Sequence, residues 1–158
     1  MQPTDSSKFT EQAWDSIVKS QEVAQRFQNK DLEVEHVILA LLEQEGLAQN
    51  ILKQAKIEIP RLKQQLEIFT NRQPKTGGTQ LFLGEWLDKM LDQAETCRVS
   101  WEDKYISVEH LLIAFAEDNR IGRRNIRNFN LDPQDLEKAI KDIRGRQKVT
   151  RQNQEEQY

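Results

Sequence analysis

The chain of 158 residues is long enough for one domain with a sizeable core, and its 37% hydrophobic and 31% charged residues indicate a polar globular protein. A formal charge of -3 gives no general attraction to nucleic acid or to an anionic membrane, and the single cysteine, Cys97, excludes an intrachain disulfide framework. The amino terminus lacks a secretory signal and no stretch is apolar over the length of a membrane span, so we expect a cytoplasmic protein.

The first half of the chain has the pattern of four helices. Residues 1–8 are polar, so we expect a flexible amino terminus. Thr10 is suited to cap the first helix, and a second, almost wholly apolar helix from about Val34 to Gln44 should be buried. A short third helix should follow Gly46, and Pro60 fits the first turn of a fourth helix.

The second half repeats this plan after a linker. The run from Gln73 to Thr79 contains a proline and two glycines but no apolar residue, which is typical of a linker. The helices expected beyond it are a fifth from about Gly84 to Val99, a second apolar helix over 108–118 capped by Ser107, a short helix over 121–128, and a last helix from Asp132-Pro133 to about Arg144. No apolar alternation typical of strands persists.

The two halves are related by an internal repeat. His36 and His110 lie in matching Val-Glu-His segments, and their separation defines the repeat offset (110 − 36 = 74). The same offset pairs apolar with apolar residues as far as Phe69 and Ile143. Similarity at a fixed offset indicates two copies of one packing unit. We therefore predict an all-α fold made of a tandem repeat of two four-helix lobes. The expected parts are a flexible start over 1–8, repeat 1 over 9–72, a linker over 73–82, repeat 2 over 83–145, and a polar tail or linker over 146–158.

Two residue pairs at the starts of the apolar helices carry possible chemistry. Glu35 and Glu109 stand in the first turn, where the helix dipole stabilises a carboxylate, and they equally fit a pair of acidic contacts for a basic partner. His36 and His110 have no second ligand at metal-binding spacing. We expect each imidazole to pack at its helix start and to bond a backbone group.

The sequence shows no catalytic apparatus. It has no phosphate-binding loop of the GxxxxGK[ST] form, and Cys97 has no histidine nearby in sequence. We therefore expect neither enzyme activity nor a cofactor in this chain. For the basic cluster of Arg120, Arg123, Arg124 and Arg127 we favour a solvated face over a nucleic-acid site, because the chain is acidic overall and lacks interleaved aromatic residues.

Several apolar side chains remain after the core positions are assigned. They lie beside the core stripes of the first and fifth helices or close to the second apolar helix, and they are Trp14, Val18, Trp86, Met90, Cys97, Trp101 and Tyr105. Part of this set should form the contact between the lobes. Contiguous apolar surface that stays exposed would mark a binding site.

Several of these motifs resemble a known family. Phe9 to Ala13, the two Val-Glu-His segments, Leu39 to Gly46, and Tyr105 to Leu112 resemble the amino-terminal domain of the Clp ATPases, in particular that of ClpB-type protein disaggregases. The resemblance covers about residues 9–150. It implies a monomeric, mobile domain at the front of a hexameric AAA+ chaperone, which captures unfolded or aggregated polypeptides. The ATPase modules that bind ATP and Mg would lie outside this chain.

The resemblance also implies functional positions. The candidate substrate-binding residues, including the apolar ones added from the pattern above, are Thr10, Glu35, Cys97, Trp101, Asp103, Tyr105 and Glu109. In ClpC-type domains the matching glutamates contact arginine-phosphorylated clients, but here Val34 and Val108 replace the usual threonine, which argues against that role. We expect the Glu109 carboxylate to stay solvated beside an apolar surface and to favour clients with basic residues next to apolar ones.

Three functions from different classes follow. The favoured one is recognition of exposed apolar segments by the substrate-binding domain of a ClpB-type disaggregase, which hands them to the hexamer pore. A second is docking of one folded adaptor, as in ClpA/ClpC-type protease chaperones. A third, nucleic-acid binding through the arginine cluster, is disfavoured by the acidic composition. Weak binding of many unfolded chains, tight binding of one folded partner, or salt-dependent binding of DNA would distinguish them.

Overall fold

A computed structural model describes residues 1–158 and confirms the predicted all-α fold. The eight helices are α1 (Glu11–Arg26), α2 (Val34–Glu43), α3 (Leu47–Gln54), α4 (Ile59–Asn71), α5 (Glu85–Ser100), α6 (Val108–Glu117), α7 (Gly122–Arg127) and α8 (Pro133–Arg144). The starts of α1 and α5 are separated by the repeat offset found in the sequence, and so are the starts of α2 and α6. The structural repeat therefore matches the sequence repeat. None of the helices is long and apolar enough to cross a bilayer.

The two apolar helices are the buried centres of their lobes. All of 34–42 in α2 and all of 108–116 in α6 are buried. Helix α2 packs against α1 and α4, whereas α6 packs against α5 and α8, and the two central helices also contact each other. Because a helix that is apolar all round has no solvated face, both had to lie inside the protein. Their side chains belong to one continuous core shared by the two lobes.

Local sequence signals set most helix ends. Thr10 Oγ1 accepts a hydrogen bond from Ala13 N at the start of α1, and Ser107 forms the predicted cap of α6. Asp132 caps α8, and Gly145, with φ of 60°, ends it in the left-handed region that favours glycine. The polar caps satisfy amide groups that have no partner within their own helix.

The lobes are joined by exchanged backbone pairing. The two-residue strands β1 (Asp31–Leu32) and β2 (Phe82–Leu83) pair in parallel, and an isolated parallel bridge joins Phe9 to Ile106. The repeat offset relates Leu32 to Ile106 and Phe9 to Leu83. The segment before the first helix of each lobe therefore pairs with the segment before the central helix of the other. Two-residue strands are too short to show alternation, which is why the sequence pattern missed them.

The C-terminal segment, residues 146–158, differs from the predicted polar, unpatterned tail. Val149, Gln154 and Glu155 are buried, and Gln154–Gln157 form a short 3₁₀-helix. Lys104 N donates to Val149 O at 2.7 Å, and Glu11 N donates to Gln152 O at 2.7 Å. Backbone hydrogen bonds to distant residues hold this segment in place, and the amino-acid composition of the segment does not predict them. At the other terminus, Ser6–Lys8 form a 3₁₀-helix and the Met1 ammonium lies 2.8 Å from Asp92 Oδ1.

Candidate functional site

A buried charge centre lies at the start of α6. The loop after α5 supplies Asp103, the first turn of α6 supplies Glu109 and His110, and the last turn of α8 supplies Arg144. Arg144 donates from Nη2 to Asp103 Oδ1 at 2.6 Å and from Nη1 to Glu109 Oε2 at 2.7 Å. All four side chains are at most 5% exposed. One guanidinium thus serves two carboxylates in a site shielded from solvent, where unpaired charge is costly.

The pKa values of the two carboxyl groups move in opposite directions. Burial acts to raise the pKa of Asp103, but hydrogen bonds from His110, Arg144 and the Val149 amide outweigh it and lower that pKa to about 2. For Glu109, burial dominates over the attraction of Arg144 and raises the pKa to about 7. Asp103 therefore stays ionised at neutral pH, whereas Glu109 can take up a proton there.

The C-terminal segment covers this centre with a third carboxylate. Glu155 Oε2 accepts from Val108 N at 3.1 Å and from Thr10 Oγ1, so it bridges the starts of α1 and α6. Burial raises the pKa of Glu155 above its ordinary value. Glu109 Oε1 and Glu155 Oε1 are both buried without a hydrogen-bond partner. Three carboxylates and one guanidinium give an excess of negative charge that a proton would relieve.

The first lobe repeats the arrangement with different charges. His36 and His110 each accept a hydrogen bond from a backbone amide at Nδ1, from Glu33 N and Ser107 N respectively, both at 2.9 Å, as the sequence predicted. The opposite nitrogen, Nε2, lies 2.8 Å from Asn29 Oδ1 in lobe one and 2.7 Å from Asp103 Oδ2 in lobe two. Since Nδ1 accepts, Nε2 carries the proton, and both imidazoles are neutral.

An amide and a carboxylate at this position need different partners. Asn29 Nδ2 donates to Thr70 O at 3.2 Å, near the end of α4. The repeat offset places Thr70 at the position equivalent to Arg144, so the second lobe has a cation where the first has a neutral side chain. The repeat therefore keeps its geometry while the second lobe alone acquires the buried ionic centre.

Glu35 has a partner from the other lobe. Arg120 reaches across and donates from Nη1 to Glu35 Oε1 at 2.6 Å and from Nη2 to Oε2 at 3.1 Å, and its guanidinium lies 4.8 Å from the Phe69 ring centre. The prediction that the arginine cluster forms a solvated face is therefore wrong for Arg120, which lies in the contact between the lobes. Arg124 and Arg127 are exposed. Bidentate arginine pairing of this kind fixes the relative position of its two elements.

The aromatic and thiol candidates are all partly buried, and Trp101 contacts the buried charge centre. Trp101, at the end of α5, is partly buried, packs edge-on against the His110 ring at 5.6 Å, and lies 5.3 Å from the Arg144 guanidinium. Tyr105 is partly exposed and lies 5.4 Å from the Lys104 ammonium. Burial raises the pKa of Cys97 to about 12, so this thiol is a packing group without nucleophilic character.

Two open clefts of opposite charge flank this region. The acidic cleft, about 420 Å³, lies between α1 and the end of α2 and contains Glu11, Asp15, Glu43, Glu45 and Glu156 with one lysine, Lys19. The basic cleft, about 370 Å³, lies between the ends of α5 and α8 and contains Trp101, Lys141, Arg144, Arg146 and Lys148 without any carboxylate. No group of three or more potential ligands is placed to hold a metal ion.

Comparison with known proteins identifies the family. The family described as "Clp repeat (R) N-terminal domain" matches residues 8–129, more than half of the chain. The chain belongs to this family. It is 67% identical over its whole length to chaperone protein ClpB 1 of Synechocystis sp. and 53% identical to chaperone protein ClpB 1 of Nostoc sp.. In both cases the chain spans only 18% of the relative's length.

A solved structure shows the same fold at low identity. The Hsp104 N-terminal domain of Candida albicans has a TM-score of 0.83 and 18% sequence identity, covering 94% of this chain and 99% of that one. The family match confirms the resemblance to the Clp N-terminal domain stated from the motifs, and the solved structure confirms the fold. The chain is therefore a Clp N-terminal domain, and the relatives with the identities given above are ClpB chaperones.

The geometry of this Clp N-terminal domain corrects one expectation about its site. Glu109 was expected to stay solvated, but it is fully buried, and Thr10, Glu35 and Asp103 are buried as well. The reason is that arginine side chains from other elements neutralise these carboxylates.

Two residues of the charge centre were not among the predicted site residues. They are Arg144 and Glu155. Arg144 lies four residues after Ile140 on the inward stripe of α8, a spacing that could have revealed it. Nothing in the sequence around Glu155 signals its burial.

Proposed function

We propose that this chain is the substrate-recognition domain of a ClpB-type chaperone. In this role it binds exposed apolar segments of unfolded or aggregated polypeptides and passes them to the pore of a hexamer. The observation that carries the proposal is the 67% identity with chaperone protein ClpB 1 over every part of this chain. ATP and Mg would be bound by ATPase modules of the longer protein, which would be hexameric and cytoplasmic, while this domain itself would be monomeric.

Exposed apolar side chains support client binding. Val18 on α1 is 52% exposed, Phe82 in β2 is 48% exposed and Val99 on α5 is 58% exposed. Trp14, Trp86 and Trp101 are partly buried against the core and keep part of their rings accessible. Such dispersed and shallow apolar contacts cannot immobilise a client strongly, because association and ordering costs offset most of the gain. Weak, reversible capture suits a domain that must release what it binds.

The buried carboxylates have an indirect part in this proposal. Thr10, Glu35, Asp103 and Glu109 do not face solvent, and their partners are side chains of the same molecule. We assign them the task of holding Arg120, Arg144 and the C-terminal segment in place. Client contact then falls to the accessible surface, including Trp101 and Tyr105, beside this framework.

The test is a chemical-shift titration of the isotope-labelled chain. The probe is one neutral protein kept unfolded by reduction and alkylation of its disulfides, compared with the same protein in its native, disulfide-bonded form. We expect progressive shifts with the unfolded form alone, in fast exchange as for a micromolar or weaker complex. Val18→Ser should reduce the affinity, whereas Gln21→Ser, one turn further along the same helix, should not. Absence of shifts with the unfolded probe would overturn the proposal, and tight binding of a single folded protein would favour adaptor docking.

A further inference from the structure

The basic cleft has charge that the fold itself does not use. Of its four cationic side chains, Arg144 is neutralised by Asp103 and Glu109, and Lys141 pairs with Glu137 at 2.8 Å. The other two differ. Lys148 Nζ donates only to a neutral group, the carbonyl oxygen of Trp101, at 2.8 Å, and exposed Arg146 pairs with no acidic side chain. Two positive charges therefore stand at the cleft without a counterion from the protein.

The cleft also contains an aromatic surface. The Trp101 ring centre lies 5.8 Å from the Lys141 ammonium and 5.3 Å from the Arg144 guanidinium. The edge-on contact with buried His110 fixes the indole orientation, while part of the ring borders the cleft. An indole held in this way beside exposed cations can stack with an apolar side chain, while the cations can pair with neighbouring carboxylates.

We propose that the basic cleft binds an acidic segment of an unfolded polypeptide. An aromatic or aliphatic side chain of the segment packs on Trp101, and flanking Asp or Glu side chains pair with Arg146 and Lys148. This inference rests on the proposed function, because it names the class of client segment that the domain selects. It reverses the preference for basic clients expected from the sequence, since the carboxylates behind that expectation are buried and already paired.

The distribution of charge over the molecule supports one site for such a segment. The acidic cleft has five carboxylates and one lysine, so an acidic client would be repelled there. The overall charge of -3 likewise gives acidic peptides no general attraction to this protein. Any preference for an acidic peptide must therefore arise locally, and the basic cleft has a suitable surface.

The experiment compares three unstructured peptides with the same aromatic and aliphatic residues. Their flanking positions are aspartate, serine or lysine, and binding to the 158-residue chain is measured by fluorescence anisotropy at low and high salt. We expect the aspartate peptide to bind about tenfold more tightly than the serine peptide at low ionic strength. The difference should largely disappear at about 0.5 M salt, because exposed ion pairs are screened.

Paired variants test whether the preference for the aspartate peptide arises at the basic cleft. The double change Arg146→Glu and Lys148→Glu should remove the preference for the aspartate peptide, lowering its affinity about tenfold or more. The control, Arg124→Glu with Arg127→Glu, makes the same change in net charge at two exposed arginines of α7 and should alter that affinity by less than about twofold. Thermal melting checks that both variants fold, and single Arg146→Glu and Arg124→Glu variants replace them if either does not.

Each outcome decides a different claim. Equal binding of all three peptides, or equal loss in the two paired variants, overturns the basic cleft as the site while leaving the proposed function intact. Tighter binding of the lysine peptide overturns the acidic preference in favour of the acidic cleft. No binding of any peptide overturns both the inference and the proposed function.

Discussion

At the scale of single residues, the buried charge centre shows that one different residue in the second copy of a repeat can require a new partner side chain. Asn29 and Asp103 occupy equivalent positions and both contact the Nε2 atom of a buried histidine. The carboxylate is charged and the amide is not, so only the second lobe needs the guanidinium of Arg144. Once buried, such a pair is hard to take apart, because removal of either partner leaves a desolvated charge.

Replacing Arg144 should therefore destabilise the protein strongly. For Arg144→Met we expect a loss of about 3–5 kcal/mol in the free energy of unfolding, because Asp103 and Glu109 then have no cation. The measurement is urea denaturation at pH 7. Arg146→Met, two residues away and exposed, is the matched control and should change stability by less than about 0.5 kcal/mol. A loss below about 1 kcal/mol for Arg144→Met would contradict a charge-balancing role.

Glu109 should make part of the stability depend on pH. Burial raises its pKa from 4.5 to about 7, so between these values the folded state binds a proton that the unfolded state does not. The stabilisation of the folded state by protonated Glu109 is fully present below about pH 4.5 and is lost as the pH rises through about 7. We expect the stability of wild type relative to Glu109→Gln to fall across this window in denaturation series at several pH values. Exposed Glu45→Gln is the control, and an unchanged difference across the window would contradict the protonation of Glu109.

At the scale of elements, α2 and α6 organise their lobes because they have no polar face. Each begins at a polar cap where a histidine ring bonds the backbone, and each is then enclosed by helices of its own lobe and by the other central helix. Gly84, at the start of α5, shows how closely the elements meet, since a Cβ there would overlap the Glu33 carboxylate. Glu33 Oε1 instead accepts from Leu87 N at 2.8 Å and so satisfies the α5 start from the other lobe.

Truncating a side chain of a central helix should be costly in either lobe. We expect Leu39→Ala in α2 and Ile113→Ala in α6 each to lower the free energy of unfolding by about 2–5 kcal/mol, the range for buried large-to-small changes. Exposed Val18→Ala is the control and should cost less than about 0.5 kcal/mol in the same urea titrations. Losses under about 0.5 kcal/mol at both central positions would show that these helices do not form the core.

At the scale of the whole molecule, the lobes form one interlocked unit. Each lobe pairs the segment before its first helix with the other lobe, Arg120 of the second lobe neutralises Glu35 of the first, and one core extends through both. The C-terminal segment adds a further link, because Glu155 bridges the starts of α1 and α6. Contacts of this kind favour unfolding in a single cooperative transition.

Removal of the C-terminal segment should therefore weaken both lobes together. We expect deletion of 146–158 to lower the free energy of unfolding by more than about 2 kcal/mol. Burial of the Val149 side chain alone stabilises the folded state by about 2 kcal/mol. The transition should remain single and coincide for circular dichroism and tryptophan fluorescence. Deletion of residues 1–5, none of which is buried, should have a smaller effect. Unchanged stability after the C-terminal deletion would show that the segment is not part of the folded unit.

The sequence by itself determined the repeat, the all-α architecture and most helix ends. These features depend on signals that are local or strictly periodic: the offset between His36 and His110, the wholly apolar helices, and the caps at Thr10, Ser107 and Asp132. The histidine bonds to backbone amides were predictable for the same reason, since each partner lies within one helical turn. The motifs also sufficed to indicate the family, because each is a run of adjacent residues that can be read directly from the sequence.

Only the tertiary structure decided which charges are buried and which remain free. Glu35 and Glu109 are placed alike by the sequence, yet their partners, Arg120 and Arg144, come from elements 85 and 35 residues away. The C-terminal segment has a polar composition, and its burial depends on backbone groups that no residue pattern encodes. Burial, pairing and the free cations of the basic cleft arise from contacts between distant elements, and the energy of a charge depends on that environment.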